Sequence, residues 1–220
     1  MPRIVEETIS FERLLSEMGD SIQVDRGETI YQPGTSSDSV YVVEEGRVKL
    51  AYLDESGKKL TLVILDPGEI FGEMCLVGEK HRRHLATAIE PTVIWRVSRQ
   101  EFMEAIDADP LYLRLLIQHF ARRVREFEEA LEDLAFKDIQ ARLSRQLLKL
   151  SDEYGVKTEE GILIGFQITH KELADMIGSA RENTTLALNR FEREGILDKS
   201  RYRIVIKNEE GLREKIQTQN

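Results

Sequence analysis

The stretch that most constrains the fold is residues 169–195, THKELADMIGSARENTTLALNRFEREG. Thr169 can cap the N-terminus of a helix, and Glu172, three residues later, completes the pattern of a capping box. This helix must stop at Gly178, because glycine readily adopts the left-handed backbone that closes a helix and reverses the chain. The stretch therefore begins with a short helix and a tight turn.

A second helix is predicted directly after the turn. Ser179 and Glu182 repeat the capping-box spacing, and the helix ends at Gly195. One face has the spacing of a stripe that packs against a core: Thr184, Ala187, Leu188 and Phe191. The other side is polar, with Leu186 at its margin: Arg181, Glu182, Thr185 and Asn189.

The polar face of this second helix suits the major groove of DNA. An arginine can donate two hydrogen bonds to guanine, and a carboxylate can accept one from cytosine N4. Because phosphates repel a carboxylate, Glu182 is useful on a DNA-facing surface only against a base edge. We therefore interpret this helix as a recognition helix. The alternative is an ordinary helical hairpin whose polar face is solvated.

The flanking sequence favours DNA. Residues 196–208 contain two β-rich pieces around the basic tip Lys199-Ser200-Arg201, and residues 161–168 (GILIGFQI) form another strand-like run. A helix-turn-helix followed by a basic hairpin is a winged helix, whose wing can approach the phosphate backbone. The residues predicted to bind DNA are Thr169, Ser179, Arg181, Glu182, Thr185, Leu186, Asn189, Lys199 and Arg201.

The charge of the chain is unevenly distributed. The 220 residues carry a formal net charge of −9, but residues 137–220 hold 15 Lys and Arg against 14 Asp and Glu. The surplus of acid therefore lies in the N-terminal part. We expect weak non-specific DNA binding with a steep salt dependence.

The sequence argues against several classes of protein. No apolar run approaches the ~20 residues that span a membrane, and MPRIVEETIS lacks the apolar core of a signal peptide, so we expect a cytoplasmic protein without a membrane partner. Cys75 is the only cysteine, which excludes an intrachain disulfide and an iron–sulfur cluster held by Cys ligands within one chain. The chain contains no nucleophile elbow, P-loop or HExxH pattern, so we do not expect an enzyme.

Residues 21–97 consist of short β-rich runs, with Gly27, Gly34, Gly46, Gly57 and Gly68 between them at spacings of 7, 12, 11 and 11. Regular short strands with turn residues between them predict a β-sandwich or jelly roll. Two continuous apolar runs, residues 40–43 and 62–65, are typical of strands buried on both faces.

Residues 67–83, PGEIFGEMCLVGEKHRR, break the strand pattern. Three glycines and a short apolar segment predict a tight loop or one-turn helix with exposed backbone N–H groups. These groups, together with Arg82 and Arg83, would bind an anion, and phosphate is the usual one. The alternative is a solvated turn with two surface arginines.

A long helix is predicted from about residue 111. Its apolar residues step alternately by four and three, which is a heptad seam: Leu113, Ile117, Phe120, Val124, Phe127, Leu131 and Leu134. This even 3.5-residue period favours a parallel two-chain coiled coil over packing within one domain, since a core-packed helix drifts towards 3.6. A dimer would present two recognition helices to a two-fold symmetric site.

In this order, the parts resemble the cyclic AMP receptor protein/FNR (CRP/FNR) family of bacterial transcription regulators. The resemblance rests on the β-roll, GEIFGEM followed by an arginine pair, a heptad helix ending in LAFKD, and a winged helix containing IGSARENT. It implies an α+β chain with a cyclic-nucleotide-binding-like β jelly roll as sensor (1–109), a long coiled-coil dimerisation helix (110–136) and a winged helix-turn-helix (137–220). It further implies a homodimer that binds palindromic promoter sites, contacts RNA polymerase and activates transcription.

The family pattern for cyclic AMP is only partly present. The corresponding positions, which form the predicted effector pocket, are Gly72, Glu73, Arg82, Arg83, Phe127 and Glu128. The first three match family residues that hold the phosphate, but Arg83 stands at a serine position. Phe127 and Glu128 replace hydroxyl residues that bind the base; Phe127 cannot donate a hydrogen bond, and a buried Glu128 would bring an unpaired charge. We therefore predict independence of cyclic AMP; the alternative is a sensor gated by a cyclic nucleotide, another small anion or haem.

Haem, iron–sulfur and other metal sites are not expected. The cluster-binding members of the family use several N-terminal cysteines, which this chain lacks. Haem needs axial ligands, and we expect the four histidines to be ordinary surface or packed side chains: His81, His84, His119 and His170.

Arg181 and Glu182 match the family residues that read G and C in TGTGA-like half-sites. Leu186 stands where the cyclic AMP regulator uses a further arginine. We predict a partly shared half-site in which Leu186 contacts a thymine methyl in place of a guanine.

Overall fold

The computed structural model describes residues 10–55, 57–200 and 202–217 of the chain. Contacts between residues divide the chain into two compact units, residues 1–125 and 126–220. The boundary falls within the long helix that the heptad pattern predicted. That helix runs from Pro110 to Phe136, so each unit contains part of it.

The first unit consists mainly of short strands. Its helices are α1 (Phe11–Met18), α2 (Arg99–Ala108) and the first part of α3 (Pro110–Phe136). Its strands are β1 (Asp20–Val24), β2 (Thr29–Tyr31), β3 (Ser39–Glu45), β4 (Val48–Leu53), β5 (Lys59–Leu65), β6 (Ile70–Phe71), β7 (Leu85–Ala88) and β8 (Thr92–Ser98). A short 3₁₀ helix, Glu73–Val77, lies between β6 and β7.

The strands form two antiparallel four-stranded sheets, β1-β8-β3-β6 and β2-β7-β4-β5. Apolar side chains of both sheets form one core. Phe71, Leu65 and Ile94 are almost fully buried in it. Two sheets that share one core are the β-roll that the glycine spacing predicted. The predicted α+β fold with an N-terminal jelly roll is confirmed.

Of the two continuous apolar runs, one is buried on both faces. In β3, Tyr41 and Val43 pack in the core between the sheets, whereas Val40 and Val42 pack against α1, α2 and α3. The same prediction for residues 62–65 is wrong, because residues 62–64 are partly exposed. They belong to β5, which is an edge strand of its sheet.

The second unit is a winged helix-turn-helix, as the sequence predicted. Its elements after α3 are α4 (Ile139–Tyr154), β9 (Gly155–Thr158), β10 (Gly161–Ile164), α5 (His170–Met176), α6 (Arg181–Arg193), β11 (Leu197–Ser200), β12 (Arg203–Ile206) and α7 (Glu209–Gln217). The strands form one antiparallel sheet in the order β11-β12-β10-β9. Its core joins α4, α5 and α6 through Leu143, Leu147, Leu173 and Phe191.

One local prediction in this unit needs correction, and one polar stretch of the sequence is helical. The run 161–168 is a strand only as far as Ile164, where its pairing with β9 ends. The residues from 211 onward look like a polar tail in the sequence, but the chain forms α7 over Glu209–Gln217. Leu212 anchors this helix because its side chain is fully buried in the core of the unit.

Candidate nucleic-acid interface and effector pocket

The start of α5 is fixed by the predicted capping box. The Glu172 amide donates to Thr169 Oγ1 at 3.1 Å, and the Thr169 amide donates to Glu172 Oε2 at 2.8 Å. The Thr169 hydroxyl also donates to Glu172 Oε2, so the capping interaction occupies it. Gly178 has a φ of +61°, which is the left-handed conformation predicted for the turn.

The second predicted capping box does not form. Helix α6 begins at Arg181 with Ala180 as its N-cap, and no side chain caps it. Ser179 lies one residue too early for its hydroxyl to serve as the cap; instead it donates to the Ala180 carbonyl at 3.4 Å. The side chain of Ser179 is buried, so it presents little surface to a ligand.

The inner face of α6 is the predicted one. Thr184, Ala187, Leu188 and Phe191 are all buried. This packing fixes the rotation of the helix about its axis. The side chains on the opposite face therefore point outward because the core fixes the rotation of the helix, and not because they make contacts of their own.

That outer face presents unused hydrogen-bonding groups. Arg181 and Glu182 are exposed, and neither makes a hydrogen bond or ion pair with any residue that the structure describes. Leu186 is 66% exposed, and Asn189 is partly exposed. A carboxylate in the first turn of a helix is favoured by the helix dipole, which stabilises Glu182 there without a partner. The face therefore offers the N–H donors of Arg181, the carboxylate acceptor of Glu182 and the apolar side chain of Leu186.

His170 holds one residue of this face, a role that no pattern in the sequence indicated. Its Nδ1 lies 3.1 Å from Thr185 Oγ1. Burial lowers the pKa of His170, and the nearby charges of Lys199 and Arg181 lower it further. The ring is therefore neutral at neutral pH and orients the Thr185 hydroxyl.

The wing is joined to α6 by an ion pair. Lys199 Nζ donates to Glu192 Oε2 at 2.8 Å, and the Lys199 side chain is only 13% exposed. Lys199, which the sequence predicted to bind DNA, is therefore engaged in an ion pair with the recognition helix. Arg201, the other predicted basic residue of the tip, lies outside the described residues.

The seam of α3 is largely exposed in the single chain. Its exposed members are Leu113, Ile117, Val124, Phe127, Leu131 and Leu134, whereas Phe120 is partly buried. The helix packs within its own chain through a different set of residues, Leu116, His119 and Arg123. Packing on its own domain is the alternative to a coiled coil, and among the described residues it leaves six of the seven seam residues exposed.

Arg82, at the centre of the predicted effector pocket, is bound by the chain itself. Its Nη1 donates to the Gly72 carbonyl at 2.8 Å and its Nη2 to the Ser39 carbonyl at 2.7 Å. The guanidinium lies over the ring of Tyr31, 4.5 Å from its centroid, and 5.5 Å from that of Tyr41. Arg82 is only 5% exposed.

Gly72 permits this approach. Its φ is +76°, and a Cβ at this position would lie 2.8 Å from Arg82 Nη1. Glu73 is partly buried beside the arginines, and desolvation raises its pKa despite the nearby charges of Arg123 and Arg82. Gly72, Glu73 and Arg82 are thus brought together as the resemblance implies.

Arg83, the other predicted pocket residue of this unit, is not part of this cluster. Its side chain is exposed and lies 3.8 Å from Glu79 in an exposed ion pair. Phe127 and Glu128 are exposed on α3.

A cyclic nucleotide would have to compete with these contacts. Its phosphate needs the two Nη groups of Arg82, which already have carbonyl partners and are covered by aromatic rings. The hydroxyl groups that bind the base in cyclic AMP-using members of the family are absent. Each Nη group makes one hydrogen bond to the chain, so a phosphate would compete with a carbonyl oxygen or use the N–H that each Nη still has.

The described residues offer no cluster of three or more His, Cys, Asp or Glu that could hold a metal ion. The lone thiol, Cys75, is almost fully buried, and it donates weakly to the Ser39 carbonyl at 3.7 Å. Burial raises the pKa of Cys75, which keeps the thiol protonated and unreactive at neutral pH.

Comparisons with known proteins match both units. Residues 21–109 match the cyclic nucleotide-binding domain, and residues 141–215 match the Crp-like helix-turn-helix domain. The chain is 34% identical over 172 residues to the cyclic AMP receptor protein of Thermus thermophilus, covering 78% of this chain and 76% of that protein. The chain belongs to the CRP/FNR family.

Further similarities cover almost the whole length of this CRP/FNR regulator. It is 32% identical to the transcriptional regulator SdrP of Thermus thermophilus, over 91% of this chain and 96% of that protein. A solved structure of a CRP/FNR-family transcriptional regulator from Thermus thermophilus has a TM-score of 0.78, with 29% identity over 91% of this chain and 100% of that one. The protein is a DNA-binding transcription regulator of the CRP/FNR type, a class that acts as dimers. None of its described helices is long and apolar enough to cross a membrane.

Proposed function

We propose that this CRP/FNR regulator is a homodimer that binds a palindromic promoter site through α6, and that it does so without cyclic AMP. The observation that carries this proposal is the state of Arg82, whose terminal nitrogens are bound to the chain's own carbonyl oxygens. A ligand that has to displace existing hydrogen bonds gains only the difference between the new bonds and the old ones. Cyclic AMP therefore has little to gain in this pocket.

The exposed face of α6 supports sequence-specific binding. Arg181 is free to donate to guanine O6 and N7, and Glu182 is free to accept from cytosine N4. We assign Leu186 to a thymine methyl and the partly exposed Asn189 to a neighbouring base or phosphate. TGTGA-type half-sites place G and C where these groups would read them.

The exposed seam of α3 supports the dimer. Six large apolar side chains of one helix face water in a single chain. A second copy would cover them at the 3.5-residue spacing of a parallel coiled coil. We expect Val124→Glu to shift the protein to monomers in sedimentation velocity, whereas Arg83→Ala, which lies away from the seam, should leave the dimer intact.

We further propose that the dimer acts in the cytoplasm, contacts RNA polymerase to activate transcription, and catalyses no reaction. The match to transcription regulators along the chain supports these assignments. Transcription in vitro from a promoter that carries the selected site would test them, because an activator raises the yield of transcript only when it is present.

Fluorescence anisotropy tests the central proposal. The probe is a palindromic duplex with two TGTGA-type half-sites, at fixed moderate salt, first without ligand and then with cyclic AMP. We expect tight binding that cyclic AMP does not change. Binding that requires cyclic AMP would overturn the assignment of Arg82. If the protein bound neither this duplex nor any duplex from a random library, the proposal that it binds DNA without an effector would be overturned.

Gating by another small anion is a second candidate, because the Arg82 guanidinium is not fully satisfied. Its Nε is buried without a hydrogen-bond partner among the described residues. A buried polar group of this kind is costly unless something pairs with it. A shift in melting temperature with phosphate or sulfate that Arg82→Lys reduces would favour this candidate.

A further inference from the structure

A groove lies beside the recognition helix, between α6 and the start of α4. It encloses about 440 Å³ and is lined by Ile139, Gln140, Asn183, Leu186, Ala187, Arg190 and Arg193. Its floor is apolar, from Ile139, Leu186 and Ala187. Arginine and amide side chains form its rim.

The rim is cationic in a chain that is acidic overall. Two of the seven lining residues are arginines and none is acidic, although the net charge of the chain is −9. Arg193 has no carboxylate partner among the described residues; its Nε donates to the Asn189 carbonyl at 3.3 Å. Arg190 pairs with Glu194 at 2.9 Å, but the same carboxyl group also pairs with Lys215 at 2.7 Å. The acid therefore offsets only part of the positive charge beside the groove.

The groove is continuous with the face of α6 that we assign to the bases. Asn183, Leu186, Arg190 and Arg193 follow one another at helical spacing, so they form a single line along the helix. That line begins next to Glu182 and includes Leu186, which is on the base-reading face as well. A duplex that receives the start of α6 in its major groove therefore brings one of its strands towards this line.

We propose that the groove binds the sugar–phosphate backbone of the DNA that flanks each half-site, with Arg190 and Arg193 contacting phosphates and Ile139 and Ala187 of the floor contacting deoxyribose. This inference rests on the proposed function, since it needs α6 to enter the major groove. The two arginines are three residues apart, a rise of ~4.5 Å along the helix, and can contact neighbouring phosphates of one strand. Such contacts hold the protein in register without reading sequence.

The charge of the rim favours DNA over a protein segment as the occupant. An apolar floor alone would suit either a peptide or the sugars of a nucleic acid. The position of the groove, on the same helix as the base-reading residues, makes duplex DNA the ligand that reaches it whenever the regulator is bound. A peptide would compete with that duplex.

The test measures the salt dependence of DNA binding for Arg190→Gln/Arg193→Gln. We expect the affinities for the cognate and the scrambled duplex to fall by the same factor. The slope of log K against log salt should become shallower by about 0.9 for each lost phosphate contact, or about 1.8 for the pair. In ethylation interference, phosphates that flank the half-site should stop interfering in the variant.

The matched control is Lys149→Gln/Arg213→Gln. These cations lie on α4 and α7 outside the groove, and each pairs with a carboxylate four residues away, as Arg190 does. We expect the control to keep the wild-type slope. An unchanged slope in the groove variant, or an equal loss in the control, would overturn the inference, as would a changed ratio between cognate and scrambled DNA. If the wild type bound no duplex at all, the proposed function would fail together with it.

Discussion

Arg82 and Arg181 match the same family equally well in sequence, but the structure places them in opposite states. Arg82 is 5% exposed, and its terminal nitrogens are bound by the carbonyl oxygens of Gly72 and Ser39. Arg181 is exposed and has no hydrogen-bond or ion-pair partner among the described residues. A guanidinium binds a ligand only with donors that the protein has left free. Arg82 is therefore engaged within the roll, whereas the donors of Arg181 remain available to a ligand.

The difference also separates stability from function. Replacing a buried and engaged arginine removes hydrogen bonds in the protein interior, so the free energy of unfolding falls. Replacing an exposed and unengaged arginine changes the folded state little, so the loss is seen only when DNA is present. Replacing Arg82 should therefore lower the free energy of unfolding, whereas replacing Arg181 should lower only the affinity for DNA.

The largest expected effect is that of Arg82→Ala on stability. The change removes the hydrogen bonds that Arg82 donates to the carbonyl groups of Gly72 and Ser39, which keep only longer contacts from the Cys75 amide and thiol. It also opens a gap beside Tyr31. We expect the free energy of unfolding to fall by roughly 3–5 kcal/mol, measured by urea denaturation at fixed protein concentration. Arg83→Ala, next in the chain but exposed, should change it by at most ~0.5 kcal/mol. Equal effects of the two changes would contradict the internal role of Arg82.

A second test of the first unit uses the pH dependence of its stability. His119 is buried, and burial together with Arg123 and Arg122 lowers its pKa to about 4. The unfolded chain, with an ordinary histidine pKa near ~6.5, binds more protons than the folded one between these values. His119 therefore destabilises the folded state as pH falls from about 6.5 to about 4.

We expect this loss to reach roughly 2–3 kcal/mol at the acid end of that range. His119→Gln should remove it, so the difference in unfolding free energy between wild type and variant should change with pH below about 6.5 and stay constant above about 7. Urea denaturation of both proteins across this range gives the difference. A difference that does not vary with pH would show that His119 titrates normally and is not held neutral.

Arg181→Ala should have the converse pattern to Arg82→Ala. We expect binding to the cognate duplex to weaken by roughly 1–3 kcal/mol, with a smaller preference over scrambled DNA, because a bidentate contact to guanine is lost. The urea midpoint should stay close to that of the wild type. Anisotropy titrations on both duplexes give the preference, and a wild-type preference in the variant would remove Arg181 from the base-reading face.

The smallest expected effect is that of Leu186→Ala. Leu186 is 66% exposed, so its truncation costs little in folding. On DNA it should cost about 1 kcal/mol, and only when a thymine stands opposite, because the contact is with the C5-methyl group. Replacing that thymine by uracil, which lacks the methyl, should abolish the difference between wild type and variant. An effect that persists with uracil would assign another role to Leu186.

The sequence could predict features that depend on residues close to each other along the chain. The capping box of Thr169 and Glu172 and the left-handed Gly178 both depend on residues within four positions of each other, and both predictions are confirmed. The second capping box is wrong by one residue, because the extended Ala180 takes the cap position and Ser179 turns inward.

Features that depend on distant residues were not visible in the sequence. Strand β9 is exposed at every position, so it has no alternation to detect, and its pairing with β10 defines it. Helix α7 has a polar sequence, but Leu212 enters a core built by α4 and α6. The state of Arg82 depends on Tyr31 and Ser39, which lie far before it in the chain. A motif match identifies the arginine but not its neighbours.

The exposed seam of α3 has a consequence for the dose response of the promoter. By mass action, doubling the number of protomers quadruples the number of dimers for as long as most protomers are single. If dimers are the form that occupies the palindrome, occupancy rises with the square of the protein level in that range. A modest change in synthesis or proteolysis of the regulator then changes transcription more than proportionally, even when no small molecule enters the roll.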